Sequence, residues 1–116
     1  MIELIKNNKS SFTINMDMTD VEDLINFIVK IVNYGGGEKF ILHSGRKKHL
    51  EIQIDEEEDI LIITKDFVRI YMDLEELEYL RDRLEKTLIT RVFYPAEICE
   101  RYYKEIYVTL YCNVVI

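Results

Sequence analysis

Apolar and polar positions alternate most sharply at the end of the chain. The last eleven residues, Ile106–Ile116, carry no charge and read as a strand with two apolar faces. Val108, Leu110, Cys112, Val114 and Ile116 point one way, and Tyr107, Thr109, Tyr111, Asn113 and Val115 the other, because successive strand side chains alternate. In a chain that is 32% charged, such a segment on an open sheet edge invites pairing with other chains. It is expected inside a sheet, under a helix or in a subunit interface.

Alternation of period two recurs upstream. Residues 2–5 and 11–18 predict a hairpin, with Phe12, Ile14, Met16 and Met18 on one face and turn chemistry in Asn7-Asn8-Lys9-Ser10. Lys39–Ser44 and His49–Asp55 read as strands joined by Ser44-Gly45-Arg46-Lys47-Lys48. Ile60–Thr64 and Phe67–Asp73 read as a further hairpin around Lys65-Asp66. One-sided alternation in these segments predicts a four-stranded antiparallel meander with one wetter face.

Between the strands the period changes to that of a helix. Thr19-Asp20-Val21-Glu22 matches a capping box, and Gly35-Gly36-Gly37 supplies the stop. The stripe Val21, Leu24, Ile25, Ile28, Ile31, Val32 is widened by Phe27, Val29 and Tyr34 to about 220° of the wheel. A helix lying on a sheet needs about half that arc, so the surplus should meet another element or another subunit. Asp73 and Glu76 cap a second helix whose stripe, Leu74, Leu77, Leu80, Leu84 and Leu88, is narrow. Pro95 suits the first turn of a short third helix ending near Lys104. The expected fold class is α+β (mixed α/β): one domain over residues 1–116 with a mainly antiparallel sheet, two main helices, one short helix and the apolar C-terminal strand. No internal repeat or linker is legible in the sequence.

Composition narrows the function classes. The chain has 116 residues, enough for one core. Its net charge of −7 argues against general nucleic-acid or anionic-membrane binding, which need a basic footprint. Cys99 and Cys112 share no metal-ligand spacing and fall on apolar faces, so both are expected to be reduced and internal. No basic region followed by an apolar run opens the chain, and no uncharged run approaches the ~20 residues of a membrane span. A cytoplasmic protein is expected. Residues with AT-rich codons outnumber Gly, Ala, Arg and Pro, which suggests a phage, a virus or an AT-rich microbe. A single glutamine with abundant Glu, Lys and Ile leans towards a thermophile, while six asparagines and four methionines lean away.

Candidate chemistry is sparse. Gly35-Gly36-Gly37-Glu38-Lys39 follows a helix and precedes a strand, the reverse of a phosphate-binding loop, and reads as a helix stop. Arg46, Lys47 and Lys48, bracketed by His43 and His49, form the one concentrated basic tip and are candidate contacts for an anion or a partner. Two imidazoles alone make no zinc site, and Asp55-Glu56-Glu57-Glu58-Asp59 lacks the spaced ligands of a calcium loop. No cofactor, metal or catalytic motif is present. Arg81 lies at the margin of the second helix's stripe, where it either snorkels to Glu78 or Glu85 or anchors an interface.

These readings favour a non-enzymatic, self-associating interaction protein. It is expected to act as a homodimer and to bind a host or cognate protein. The candidate interface residues are Phe27, Val29, Tyr34, Arg81, Tyr107 and Tyr111. An anion- or nucleic-acid-binding module built on the 43–49 hairpin is the alternative. A small enzyme without a recognisable motif is third, since catalytic groups can assemble from distant positions.

Overall fold

Hairpins flank each of two helices, and the arrangement occurs twice. In a computed structural model describing residues 1–116, β1 (Glu3–Asn8) and β2 (Ser11–Asp17) lead into α1 (Met18–Tyr34), followed by β3 (Phe40–His43) and β4 (Arg46–Ile54). The second unit repeats this order with β5 (Ile60–Ile63), β6 (Phe67–Met72), α2 (Leu74–Thr90), β7 (Glu97–Tyr103) and β8 (Ile106–Val115). The helices are 17 residues each. Their N-caps, Asp17 and Asp73, both accept from the amide of the residue three further on, and the side chains of Asp20 and Glu76 reach back. Two orphan amides at each helix start are thereby satisfied.

The eight strands close into a barrel in the order β1-β2-β8-β7-β5-β6-β4-β3. Exchanging the two units leaves this ring unchanged. Within each unit the hairpins are antiparallel (β1 with β2, β3 with β4; β5 with β6, β7 with β8) and the first and third strands pair in parallel. The units are joined by two parallel seams, β2 with β8 and β4 with β6. Closure leaves no open edge, which answers the aggregation hazard of the uncharged C-terminal strand.

Several sequence expectations are corrected. The architecture is a closed eight-stranded barrel with two helices rather than an α+β sheet carrying a four-stranded meander. β4 passes over its sequence neighbour β5 and pairs with β6 in parallel, while β5 pairs with β7. The segment expected as a third helix is strand β7, because its inward residues Cys99, Arg101 and Tyr103 alternate with outward Glu100 and Tyr102. The first helix is capped by Asp17 and Asp20, not by Thr19 and Glu22. A structural repeat exists where none is legible in the sequence.

Barrel interior and helices share one core. Phe12, Leu110, Leu61, Val68 and Val108 from the strands and Val21, Ile28, Leu77 and Leu84 from the helices are fully buried. Leu24 and Leu80, at matching helix positions, reach the same central apolar void as Ile14, Ile70, Leu50 and Leu110. That void has a volume of about 30 Å³, so the interior is packed and holds no ligand-sized chamber. α1 packs against α2, and Phe27 is buried beside Gly37 and β4. The wide apolar arc of α1 is largely covered within the chain, with Val29 half-buried and Tyr34 82% exposed. Both cysteines are free and buried, as the sequence indicates.

Candidate functional site

Each seam between the two units presents an outer face to solvent, and the two faces occupy equivalent places in the ring. On the β4–β6 face the register sets Glu51 beside Arg69 and Gln53 beside Tyr71. Arg69 Nε donates to Glu51 Oε1 at 2.8 Å, and its guanidinium also lies 4.5 Å from the Phe67 ring centre. The hydrogen bond to Glu51 holds Arg69 further into its charged form. Lys47 sits over Phe40, whose ring packs against His49. Charges on this face are paired or stacked within the chain.

The β2–β8 face carries no charge along its length until Asp17. Here Ser11 lies beside Thr109, Thr13 beside Tyr111 and Asn15 beside Asn113. Asn113 Nδ2 donates to Asn15 Oδ1 at 3.1 Å, and Asn7 Nδ2 donates to Thr13 Oγ1 at 2.7 Å. Lateral bonds of this kind satisfy the small polar groups and leave Tyr107 and Tyr111 exposed. Tyr102 of β7 stands directly across from Tyr107, their ring centres 4.5 Å apart. Desolvation raises the Tyr107 phenol above its usual pKa, and the nearby Asp59 and Glu100 carboxylates add to the shift. Glu97 is the cross-strand neighbour of Tyr111, and Glu100 that of Thr109. The surface is a row of tyrosine rings with a carboxylate margin on β7.

The basic hairpin is dismantled as a cluster. Arg46, Lys47 and His49 are exposed, but Lys48 is only 5% exposed, and its Nζ donates to His43 Nδ1 at 2.8 Å. No carboxylate pairs with this ammonium. Burial, and next the Lys48 charge, lower the His43 pKa, so the imidazole is held neutral as the acceptor. His43 and His49 do not face each other, since their register partners are Arg46 and Phe40. Arg81 pairs with Glu85 at 3.7 Å on the surface of α2, the snorkelling outcome.

Two buried arginines have no counterpart in the sequence reading. Arg101 donates through Nε to the Tyr71 carbonyl at 2.7 Å and through its terminal nitrogens to the Glu100 carbonyl and to Glu76 at 2.6 Å. Arg83 is held between the Tyr79 and Phe93 rings and donates to the Pro95 and Glu97 carbonyls at 2.9 and 2.6 Å. Both tie α2 and β7 together, and neither lines a cavity that could admit a ligand. Cys99 and Cys112 are poor nucleophiles, because burial pushes each thiol up to about 12. No group of three or more His, Cys, Asp or Glu side chains is placed to hold a metal. No helix is long and apolar enough to cross a membrane.

Exposed apolar side chains outside the tyrosine face also fall in the second unit. Leu88, Ile89, Val92 and Tyr94 project from the end of α2 and the loop after it. Leu88 belongs to the stripe expected to pack on the sheet, and the structure instead leaves it 40% exposed at the end of α2. Searches with protein-family models, against curated proteins and against solved structures find no significant match to this chain.

Proposed function

We propose that this chain is a non-enzymatic protein-interaction domain that binds through the β2–β8 face and the adjoining Tyr102 of β7. One observation carries the reading. Two faces in equivalent places of one barrel have opposite surface chemistry, Thr13–Tyr111 on one standing where Arg69–Glu51 stands on the other. The barrel fold therefore does not require an uncharged tyrosine row. Tyrosine supplies large contact area with few rotamers to fix and is enriched at interface anchors. The packed interior and the unreactive thiols support binding at a surface over catalysis in a pocket.

The features that called for a second copy, an uncharged strand and a wide helix arc, are satisfied inside the chain by barrel closure and by α2. A homodimer is thus one occupant among those the face could take. A photoreactive phenylalanine analogue at position 111, compared with the same analogue at position 51, tests the reading in source cells. Discrete cross-linked products from position 111 and none from 51 are expected. Equal products from both faces would overturn it.

A further inference from the structure

We infer that the tyrosine face takes a cationic, arginine-bearing segment of a partner protein; this rests on the reading of β2–β8 as the binding face. Tyr102 and Tyr107 stack at 4.5 Å with their planes 36° apart, and both are about half exposed. Tyr111 lies further along β8, on the same side of the strand. Aromatic faces attract guanidinium and ammonium groups, and a carboxylate beside the ring adds charge-assisted hydrogen bonds from their N–H groups. Such carboxylates stand at both places. Glu97 is opposite Tyr111 and Glu100 opposite Thr109, both exposed on β7, and Asp59 also acts on the Tyr107 phenol.

No lysine or arginine stands among the outward strand residues of β2, β7 and β8 on this face. Arg101 points inward and is consumed by Glu76 and two carbonyls. Lys104 lies against the ring of Tyr103. A second copy brings its own net charge of −7 and its own Glu97 and Glu100 to a symmetric contact, which is repulsive at the margin. A basic segment meets attraction there instead. Arginine suits the site better than lysine because its planar group stacks on a ring while its edge donates to a carboxylate.

Labelled nona-arginine titrated with the full chain at low salt tests this inference. Saturable binding is expected, weakened about tenfold, or roughly 1.4 kcal/mol, by Tyr107→Ala with Tyr111→Ala. Glu97→Gln with Glu100→Gln should weaken it by a similar factor. Glu56→Gln, Glu57→Gln and Glu58→Gln together remove more charge from the connection between the units and should weaken it less. Nona-lysine should bind more weakly than nona-arginine. If the connection variant costs as much as the β7 variant, binding follows net charge alone and the inference falls. Absence of peptide binding, with sedimentation showing an oligomer that Tyr111→Glu dissociates, would assign the face to a second copy. That outcome overturns the cationic partner and leaves the binding face standing. Circular dichroism of each variant separates loss of binding from loss of fold.

Discussion

The β2–β8 and β4–β6 seams solve the same backbone problem with different side chains. Both are parallel strand pairs that join the two units, and both put alternate residues into one core. Outside, β4–β6 spends charge on itself through Glu51 and Arg69, whereas β2–β8 bonds its small amides and hydroxyls laterally and leaves tyrosines free. Interior packing explains the shared geometry but not the divergent exterior. A difference that folding does not demand is where recognition is most economically sought. The asymmetry extends beyond the seams, because every exposed large apolar or tyrosine side chain except Met1 and Tyr34 belongs to the second unit.

Interior positions also differ between the units, and the largest expected effect lies there. Ile41 and Arg101 occupy matching inward places on β3 and β7, each buried. Arg101→Ala should cost about 2–5 kcal/mol of folding stability, because it opens a cavity and removes the donor to two carbonyls and to Glu76, which keeps only its cap bond from the Asp73 amide. Denaturant unfolding reads this directly. A loss below about 1 kcal/mol would mean that the guanidinium adds nothing that the apolar solution at Ile41 lacks.

The same substitutions between units show why only part of the fold is legible in the sequence. Hairpins and helix caps rest on neighbouring residues, so β1–β2, β5–β6 and the Asp73–Glu76 cap can be read locally. Parallel seams join strands that are far apart in sequence and depend on which unit folds back on which. In β7 the register shifts between Glu97 and Cys99, which sets Ile98 and Cys99 side by side and mimics a helical period. Arg101 pointing inward then hides the remaining alternation. The repeat is masked because inward positions change character, with Phe27 matched by Arg83, Ile31 by Thr87 and Val108 by Lys48. Of the candidate site, Tyr107 and Tyr111 were legible from the alternation of β8. Tyr102 stands out in the sequence as one of the tyrosines crowded into the C-terminal quarter, but its place across from Tyr107 does not, because β7 reads as a third helix; Lys48 leaves the basic tip because it follows the inward parity of β4.

A smaller, pH-dependent effect separates the two barrel-end hairpins. His43 and Lys48 stand on β3–β4 where Tyr103 and Val108 stand on β7–β8. Burial and the Lys48 charge lower the His43 pKa from its usual 6.5. The unfolded chain therefore takes up this proton at higher pH than the folded one. The contribution to stability is fully present above about pH 6.5 and is lost as pH falls below it towards the folded value. His43→Gln keeps an acceptor for Lys48 and should flatten the fall in stability between about pH 7 and pH 5. An unchanged slope in that variant would place the titration elsewhere.

The smallest stability effects are expected at the two outer faces, and their value lies in how they rank against association. Glu51→Ala breaks a partly exposed pair with Arg69 and should cost about 0.2–1 kcal/mol, since water screens the charges it separates. Tyr111→Ala removes a ring that is 37% exposed from the middle of a strand, with a folding cost of about 1 kcal/mol. On folding alone the two substitutions are nearly equivalent. They diverge once a partner is present: Tyr111→Ala should weaken its binding by about 1–3 kcal/mol, the range of an interface anchor, while Glu51→Ala leaves it unchanged. Unfolding curves and binding isotherms on these two variants are enough to decide. If Tyr111→Ala lowers stability by several kcal/mol and leaves binding intact, the ring supports the barrel rather than a partner. The contrast between the faces would then reflect packing alone.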